Sequence, residues 1–291
     1  MIYYNRLPKF EYFAPNTLEE ALTLLKDYRG KVKIIAGGTD LLLSMRDRGV
    51  TPKYLIGLKN IGGMDYIHYS ETEGLRIGAL TTIVSIESSQ LIKQKYSILN
   101  QTAKCMASCQ IRNVATIGGN ICSAVPSADT APPLIVLNAK LKLRSSEGTR
   151  LVKIEEFFTG PCQTVLQETE LLIEIIVPEI TSDHKGIYIK RGLRQAMSLA
   201  TVSVAVITIL EGEYFKDIRI ALGAVAPTPI RAKNAEILLR GKIISNDLLK
   251  KASNAASNEA CPISDFRASE EHRRELIRAL TLRAIEQSLD C

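Results

Sequence analysis

The sequence predicts an α+β fold made of two domains. Short runs of β-branched and apolar residues, each of strand length, alternate with amphipathic helical segments over the first 178 residues. Proline, threonine, serine and aspartate then interrupt the apolar pattern between residues 178 and 185, as is typical of a domain boundary. Because the chain has 291 residues, of which 46% are hydrophobic, it is long enough to build a core in each domain.

The first domain is predicted to span residues 1–178, with one subdomain over residues 1–56 and another over 57–178. Thr17 is followed three residues later by Glu20, a capping box that predicts a helix from there to about Gly30. The apolar runs predict further elements along the domain. Strands are expected at 10–15, 32–36, 54–58, 66–69, 75–78, 134–137, 140–144, 150–152 and 171–178, helices at 82–90, 94–106 and 154–158, and either a helix or a strand at 41–45.

The second domain is predicted to span residues 185–291 as a three-stranded antiparallel sheet covered by helices. Its strands are expected at 186–191, 201–210 and 215–222, and its helices at 231–240, 245–259 and 269–289. Ser245 is the expected N-cap of the middle helix. The longest apolar stretch, 199–210, is interrupted by hydroxyl residues and is too short to cross a membrane, so it is interpreted as a buried strand.

Composition narrows the classes of function. The net charge of +6 arises from 37 basic and 31 acidic residues without a Lys/Arg run, and the chain has no tryptophan, so nucleic-acid binding is not expected. Residues 1–6 contain no apolar stretch typical of a secretory signal, and a cytoplasmic protein is therefore expected.

Cysteine and histidine spacing argues against a metal site. The six cysteines form no Cys-x-x-Cys pair, and Cys105 and Cys109, expected on one helix, have no histidine nearby and are interpreted as buried thiols. His68, His184 and His272 stand alone in the sequence and are interpreted as surface residues. Neither a metal-ligand spacing nor a nucleophile–histidine arrangement is present.

Two glycine pairs are the candidate ligand-binding motifs of the sequence. Residues 33–43, KIIAGGTDLLL, predict a strand that ends at a Gly-Gly turn, and residues 114–121, VATIGGNI, repeat the pattern between Thr116 and Asn120. Glycine lets a ligand approach the backbone, and successive N–H groups form a concavity suited to phosphate. A single pair is ordinarily a plain turn, as we interpret Gly62-Gly63, but two pairs with matching polar neighbours predict one diphosphate held between two loops.

The combination of AGGTDLLL and TIGGNI resembles the FAD-binding medium subunits of molybdenum hydroxylases, the flavoprotein family of carbon monoxide and xanthine dehydrogenases. The resemblance covers essentially the whole chain. It implies a two-subdomain FAD-binding fold of the p-cresol methylhydroxylase/vanillyl-alcohol oxidase type, followed by a smaller C-terminal domain. It also implies non-covalent FAD, an iron–sulfur partner with 2Fe–2S clusters, a large molybdopterin-binding partner and an electron acceptor such as NAD. No Walker or Rossmann glycine motif is present. Relatives with an additional iron–sulfur cluster carry an insert near Cys122, which this chain lacks, so no cluster is expected here.

The expected cofactor-binding residues fall into three groups. The glycine N–H groups are expected to bind the diphosphate, and the hydroxyls and amide of the two motifs to add side-chain bonds. Asp40 would repel phosphate and is expected to bond amides of its own turn or a flavin hydroxyl. The residues are Ile34, Ile35, Ala36, Gly37, Gly38, Thr39, Asp40 and Leu41 in the first motif, Thr116, Gly118, Gly119 and Asn120 in the second, and Asp129, Leu172 and Lys190 from the resemblance.

The last three residues leave alternatives open. Asp129 could cap a helix that has proline in its first turn, or lie, as the resemblance implies, near the flavin or its ribityl chain; both can hold, because a helix N-terminus also suits a polar ligand group. Leu172 either packs near the flavin ring or belongs to the ordinary core. Lys190 either reaches the flavin ring, where a cation would favour the anionic reduced flavin, or is a solvated lysine. Ser198 stands where many relatives carry an acidic residue.

Two other functions fit parts of the pattern. A stand-alone flavin oxidase could use the same fold, and covalently attached flavin would identify it. A non-catalytic module that binds adenine nucleotides during assembly could use the same loops, and equal affinity for ADP and FAD would identify that.

Overall fold

The computed structural model describes residues 7–47, 49–180, 182–194 and 196–289, so the N-terminal residues 1–6 and Cys291 lie outside the described residues. The elements of the first domain are β1 (Glu11–Phe13), α1 (Leu18–Asp27), β2 (Val32–Ile35), α2 (Leu41–Arg46), β3 (Tyr54–Gly57), β4 (Ile67–Ser70), β5 (Gly74–Gly78), α3 (Ile83–Ser88), α4 (Gln90–Lys95), α5 (Ser97–Cys105), α6 (Cys109–Arg112), α7 (Ile117–Ser123), α8 (Ala131–Val136), β6 (Lys140–Ser145), β7 (Gly148–Lys153), a short 3-10 helix (Ile154–Glu156), β8 (Phe158–Gly160), β9 (Gln163–Thr164) and β10 (Leu171–Val177). Those of the second are β11 (Lys185–Arg191), β12 (Val202–Glu211), β13 (Tyr214–Gly223), β14 (Ile230–Arg231), α9 (Lys233–Leu239), α10 (Asn246–Glu259) and α11 (Glu270–Leu289).

The chain begins with a small parallel sheet in the order β1-β3-β2. Thr17 is confirmed as the N-cap of α1, because its Oγ1 accepts the Glu20 N–H at 3.2 Å, while Glu20 Oε2 accepts the N–H of Asn16, one residue before the N-cap, at 2.9 Å. The helix turns Ala21, Leu22 and Leu25 inward, at the spacing of a single helix face. Strand β2 thus points its carboxyl end at the loop of residues 36–40, which leads into α2.

A five-stranded antiparallel sheet, in the order β4-β5-β10-β6-β7, supports the rest of the first domain. Its alternating residues Leu75, Ile77, Leu141, Leu143 and Ile175 are buried in one core with residues of helices α3, α5, α7 and α8. Helix α7 lies against β10, so the second glycine motif is supported from beneath by the sheet.

The second domain is a four-stranded sheet in the order β11-β12-β13-β14, with helices α9 to α11 on one face. The sequence predicted three strands, and the two-residue β14 adds a fourth. The opposite face of the sheet packs on α5 and α8, because Tyr188, Ala205, Ile207 and Ala221 belong to the core of the first domain. Strand β11 is therefore held beside the first domain over much of its length.

Several predicted elements were wrong in type or extent. Residues 134–137, predicted as a strand, lie at the end of α8, where Pro132 and Pro133 start a helix whose six residues are all buried. A wholly apolar helix has no polar face and looks like a strand in sequence. The helix predicted at 94–106 is two helices that break at Tyr96, which has a φ of −134°.

The side-chain interpretations also changed in places. Cys105 ends α5 and Cys109 begins α6, so they do not share a helix, and both are exposed rather than buried. His68 and His272 are exposed as expected, and His184 is half-buried. Within the described ranges, no helix has both the length and the apolar character needed to cross a membrane.

A hydrogen-bonded aspartate makes the stability of the second domain depend on pH. Burial acts to raise the pKa of Asp265, but the N–H of Arg267 and the guanidinium of Arg273 bond to the carboxylate and lower that pKa from 3.8 to about 2. Since the folded pKa lies below the unfolded one, the carboxylate stabilises the fold fully above about pH 4, and this contribution is lost as the pH falls towards 2.

Replacing Asp265 with asparagine should lower the free energy of unfolding by about 1–2 kcal/mol at pH 7, from a partly screened shift of this size. The difference from the unaltered protein should narrow as the pH is lowered from 5 to 3 (rough limits set by the folded and unfolded pKa values). Urea unfolding of both proteins at several pH values measures this difference in the free energy of unfolding. Glu168→Gln, an exposed acid paired with exposed Arg29, is the control. A difference that is independent of pH would contradict the account.

Candidate cofactor-binding cleft

The first glycine motif forms a loop with unpaired backbone donors. Strand β2 ends where Ile35 O accepts the Leu58 N–H at 3.0 Å, and Gly38 then takes a left-handed φ of +73°, which favours glycine. No hydrogen bond among the described residues uses the N–H groups of residues 36–41. Six successive donors thus lie unpaired along one half-buried loop, the arrangement that binds an anion.

The two glycine motifs approach each other through their backbones. A Cβ atom on Gly37 would lie 2.1 Å from the carbonyl oxygen of Val114, a distance that real Cβ atoms do not show. Gly37 is therefore required so that the first loop can lie directly against the segment that leads into the second motif. The sequence predicted two adjacent loops, and the structure places these residues side by side.

The second glycine pair is not a turn, as predicted, but the first turn of helix α7. Thr116 is the N-cap, and its Oγ1 accepts the Gly119 N–H at 3.0 Å. Gly118 donates its N–H to Ala79 O at 2.9 Å, and a Cβ on Gly118 would lie 2.6 Å from that oxygen. The expectation that these two glycines offer free N–H groups was wrong, because the cap and the neighbouring segment already use them.

Asn120 connects α7 to the start of α8. Its Oδ1 accepts the Thr130 N–H at 3.2 Å and the Thr130 hydroxyl at 2.6 Å. Its Nδ2 takes part in no hydrogen bond that the described residues make, so two amide donors remain available. This contact places Asp129, the residue before Thr130, along the same wall as the second motif.

Asp129 is held by the second domain. One carboxylate oxygen accepts the hydroxyl of Tyr188 at 2.8 Å, and the other accepts Lys190 Nζ at 2.8 Å. The side chains of Asp129 and Lys190 are less than one-tenth exposed. The helix-cap interpretation of Asp129 and the solvated interpretation of Lys190 are both wrong, because each side chain finds its partner across the contact between the domains.

Burial and hydrogen bonds shift the pKa values of Asp129 and Tyr188. Burial raises the pKa of the Asp129 carboxyl above its usual value, and the charge of Lys190 and the hydrogen bonds from Lys190 and Tyr188 offset only part of this rise. Burial, followed by the charge of Asp129, raises the pKa of Tyr188 well above its ordinary value, so the phenol stays protonated and donates to the carboxylate. Lys190 also lies 3.4 Å from Cys105 O. The lysine is thus paired with a buried carboxylate.

The remaining candidates differ in exposure. Leu172 is buried in the core beside a β-bulge of β10, and the structure therefore supports its interpretation as a core residue. Asp40 is exposed and caps no amide of its own turn, so the first of its two expected roles is wrong, and a bond to a flavin hydroxyl stays a prediction. The other candidates of the first motif, Ile34, Ile35, Thr39 and Leu41, are half-buried.

The sequence interpretation missed the residues that support the site. Ala79 and Val114 act through their backbone carbonyls, which no sequence motif marks. Tyr188 could have been found, because it lies two residues before Lys190 in a strand and so faces the same side. Within the described part of the chain, no group of three or more His, Cys, Asp and Glu could hold a metal ion.

Comparison with known proteins agrees with this geometry. Residues 8–180 match the family described as "FAD binding domain in molybdopterin dehydrogenase", and residues 188–288 match "CO dehydrogenase flavoprotein C-terminal domain". The chain belongs to this flavoprotein family. Family members are oxidoreductase components, and the resemblance drawn from the two glycine motifs is confirmed.

Individual relatives align over almost their full length. The xanthine dehydrogenase FAD-binding subunit of Escherichia coli is 33% identical over 96% of this chain and 95% of its own. The glyceraldehyde dehydrogenase medium chain of Sulfolobus acidocaldarius is 34% identical over 96% and 98%. A chain of carbon monoxide dehydrogenase from Hydrogenophaga pseudoflava, in a form that lacks the Mo-pyranopterin moiety of the molybdenum cofactor, superposes with a TM-score of 0.95 at 32% identity over 98% of each chain. The predicted mixed fold is thereby confirmed.

The contact between the glycine motifs can be tested by substitution. Gly37→Ala would force a methyl group against the Val114 carbonyl, and such overpacking costs about 1–3 kcal/mol. A lower melting temperature is expected in calorimetry. Gly62→Ala is the matched control, since a Cβ there meets nothing within 4 Å. Equal melting temperatures for the two variants would show that the loops do not touch as described.

The ion pair can be tested by a double-mutant cycle. Lys190→Met leaves the Asp129 carboxylate buried without its counter-ion, which costs about 3–5 kcal/mol for a fully buried pair. Asp129→Asn in the same chain should restore part of this loss, and urea unfolding of the four proteins measures the coupling. Strictly additive losses would mean that the two side chains do not interact.

Proposed function

We propose that this chain binds one FAD non-covalently in the cleft and serves as the electron-transfer flavoprotein of a molybdenum hydroxylase complex. Electrons would arrive from the 2Fe–2S clusters of an iron–sulfur partner, which receives them from a large molybdopterin-binding subunit. They would leave to an acceptor such as NAD. The relatives support the assignment, since they are named as FAD-binding subunits or medium chains of dehydrogenases.

The observation that carries the proposal is the run of six unpaired N–H groups at residues 36–41. Hydrogen bonds to a charged oxygen contribute about 1.5–3 kcal/mol each, so a few of these donors account for tight binding of a diphosphate. Gly38 has a left-handed backbone, and a Cβ there would lie 3.1 Å from Leu42 Cδ1 and 3.2 Å from Ile35 Cδ1, so glycine is needed for the loop to keep the shape that presents these donors. The residues present therefore fit the diphosphate of FAD.

The second motif supports the cofactor in a different way from the first. Thr116, Gly118 and Gly119 build the start of α7 and hold it against the sheet, so we assign them a role in shaping the wall. Asn120 keeps two amide donors, and the Thr39 hydroxyl has no other partner among the described hydrogen bonds. We assign these two side chains to direct contact with the cofactor.

The ion pair at the far end of this wall would meet the polar part of the flavin. A lysine ammonium has three donors, of which one is directed at Asp129 and another lies near Cys105 O. Its remaining donor is available to a flavin oxygen, while Asp129 can accept from a ribityl hydroxyl. The flavin supplies the redox chemistry, and the protein positions it and sets its electrostatic surroundings.

The described thiols fit the predicted compartment. Cys105, Cys109, Cys122, Cys162 and Cys261 are free, which is usual for a protein kept in a reducing environment. This agrees with the cytoplasm as the compartment proposed here.

Binding of FAD to the apoprotein tests the proposal. Gly38→Val adds a β-branched side chain at a φ of +73° within the loop, and the affinity for FAD should fall at least about 100-fold if two donors are lost. Gly63→Val is the matched control, because Gly63 has a φ of +76° with open space around it. Fluorescence titration measures both affinities. Retention of wild-type affinity in Gly38→Val would refute the loop as the diphosphate site.

Acid precipitation and a titration with ADP separate the proposed function from its two rivals. FAD that dissociates on acid precipitation supports the non-covalent subunit, and flavin that stays with the pellet indicates a stand-alone oxidase. An affinity for ADP equal to that for FAD would indicate an adenine-nucleotide module, since the flavin half would then contribute nothing.

A further inference from the structure

Strand β11 lies at the edge of the second-domain sheet, where helix α5 of the first domain packs against it. Among the described strands, β12 is the only neighbour of β11, and it pairs with one side of that strand. The N–H and C=O groups of alternate residues therefore point away from the sheet along the other side. Proteins cover such a free edge with a helix or a loop, and here α5 covers it.

Gln101 of α5 takes the place of a neighbouring strand. Its Nε2 donates to Gly186 O at 3.0 Å, and its Oε1 accepts the Tyr188 N–H at 3.0 Å. These two backbone groups lie two residues apart on the same edge of β11, and one side-chain amide pairs with both, as the peptide group of a paired strand would. A shift of the strand along α5 would break both bonds, so together they fix its register.

The contacts before and after Gln101 match the same register. Ile98, three residues earlier, packs on Gly186, where an added Cβ would lie 2.8 Å from Ile98 Cβ. Cys105, four residues later, presents its carbonyl oxygen to Lys190 Nζ at 3.4 Å. These spacings place the three helix residues on one face of α5 and the two strand residues on one side of β11. Gln101 thus lies in the middle of a continuous contact between helix and strand.

The end of α5 adds an electrostatic contribution to this contact. The last carbonyl groups of a helix have no partner within the helix and carry partial negative charge. The carbonyl of Cys105 belongs to the last turn of α5, and it faces the Lys190 ammonium beside the buried carboxylate of Asp129. The position of the ammonium therefore depends on where β11 lies against the end of α5.

The pair of Asp129 and Lys190 tolerates little displacement of β11. Lys190 Nζ lies 2.8 Å from the carboxylate, and a movement of about 1 Å would stretch this contact beyond hydrogen-bond length. The hydroxyl of Tyr188, which bonds to the other carboxylate oxygen, comes from the same strand. Both donors to Asp129 would thus move together if the strand moved.

We propose that Gln101 is a positioning residue for the bound flavin, because it holds β11 in the register that directs Lys190 at Asp129 and at the cofactor. The inference rests on the proposed function, in which the remaining donor of Lys190 meets a flavin oxygen. A cation held there stabilises the anionic reduced flavin more than the neutral oxidised flavin. Gln101 thereby acts on the reduction potential of the flavin through Lys190.

The reduction potential of FAD bound to the purified chain tests this role. Gln101→Met keeps the approximate size of the side chain and removes both hydrogen bonds, so the ammonium should move away from the flavin. Reduced flavin should lose about tenfold in affinity relative to oxidised flavin, which lowers the two-electron midpoint potential by about 30 mV. Gly186→Ala should lower the potential too, since its methyl group forces the same strand away from Ile98. A redox titration against reference dyes measures the potential.

Two further variants separate positioning from stability. Asn100→Leu is the matched control, because Asn100 is the neighbouring buried amide of α5 and donates to Glu87 O of the first domain. It should lower the melting temperature, as Gln101→Met does, and leave the potential unchanged. Lys190→Met removes the cation itself, so it should lower the potential at least as far as Gln101→Met. Adding Gln101→Met to Lys190→Met should then lower the potential no further.

The outcomes that contradict the proposal differ from those that contradict the proposed function. An unchanged potential in Gln101→Met, when Lys190→Met lowers it, would exclude the positioning role and leave the proposed function intact. Equal falls in Gln101→Met and Asn100→Leu would also exclude that role, because the potential would then follow stability alone. An unaltered chain that binds no FAD would overturn the proposed function and the positioning role together.

Discussion

The cleft depends on the close approach of two backbone segments at Gly37 and Val114. The absent side chain at Gly37 lets the first loop rest on the segment before α7, and the loop keeps its shape although residues 36–41 form no backbone N–H bonds within the described chain. Only backbone donors buried away from water must find a protein partner, so the donors of this half-buried loop are free to bind water or a ligand. The loop thus presents its donors without losing its shape.

The second glycine motif fixes helix α7 in place beside the first loop. Its glycines serve packing, because Gly118 lies against Ala79 and Gly119 completes the Thr116 cap. The two motifs are alike in sequence but differ in role. The first offers unpaired N–H groups, and the second fixes the start of helix α7. The side chain of Asn120 then accepts a hydrogen bond from Thr130, which follows Asp129, and so links helix α7 to that residue. A chain of short contacts extends from the glycine loop to the ion pair.

The ion pair also explains why the second domain is needed. Lys190 and Tyr188 come from β11, whereas Asp129 precedes α8 of the first domain, so the polar end of the cleft exists only when the domains are packed together.

Much of this architecture could be predicted from the sequence. The N-cap at Thr17 and the strand that ends just before the first glycine pair follow local rules that the structure obeys. Residues 134–137 were misassigned because a fully buried helix has no polar face to mark its period. The pairing of Asp129 with Lys190 joins residues 61 positions apart, and no local pattern encodes such a contact.

Hydrogen exchange of the backbone amides, followed by mass spectrometry with and without FAD, tests the central claim most directly. The unpaired N–H groups of residues 36–41 should exchange rapidly in the apoprotein and become protected when FAD binds, while those of Gly118 and Gly119 should be protected in both states. Binding of FAD without added protection at residues 36–41 would show that the diphosphate lies elsewhere.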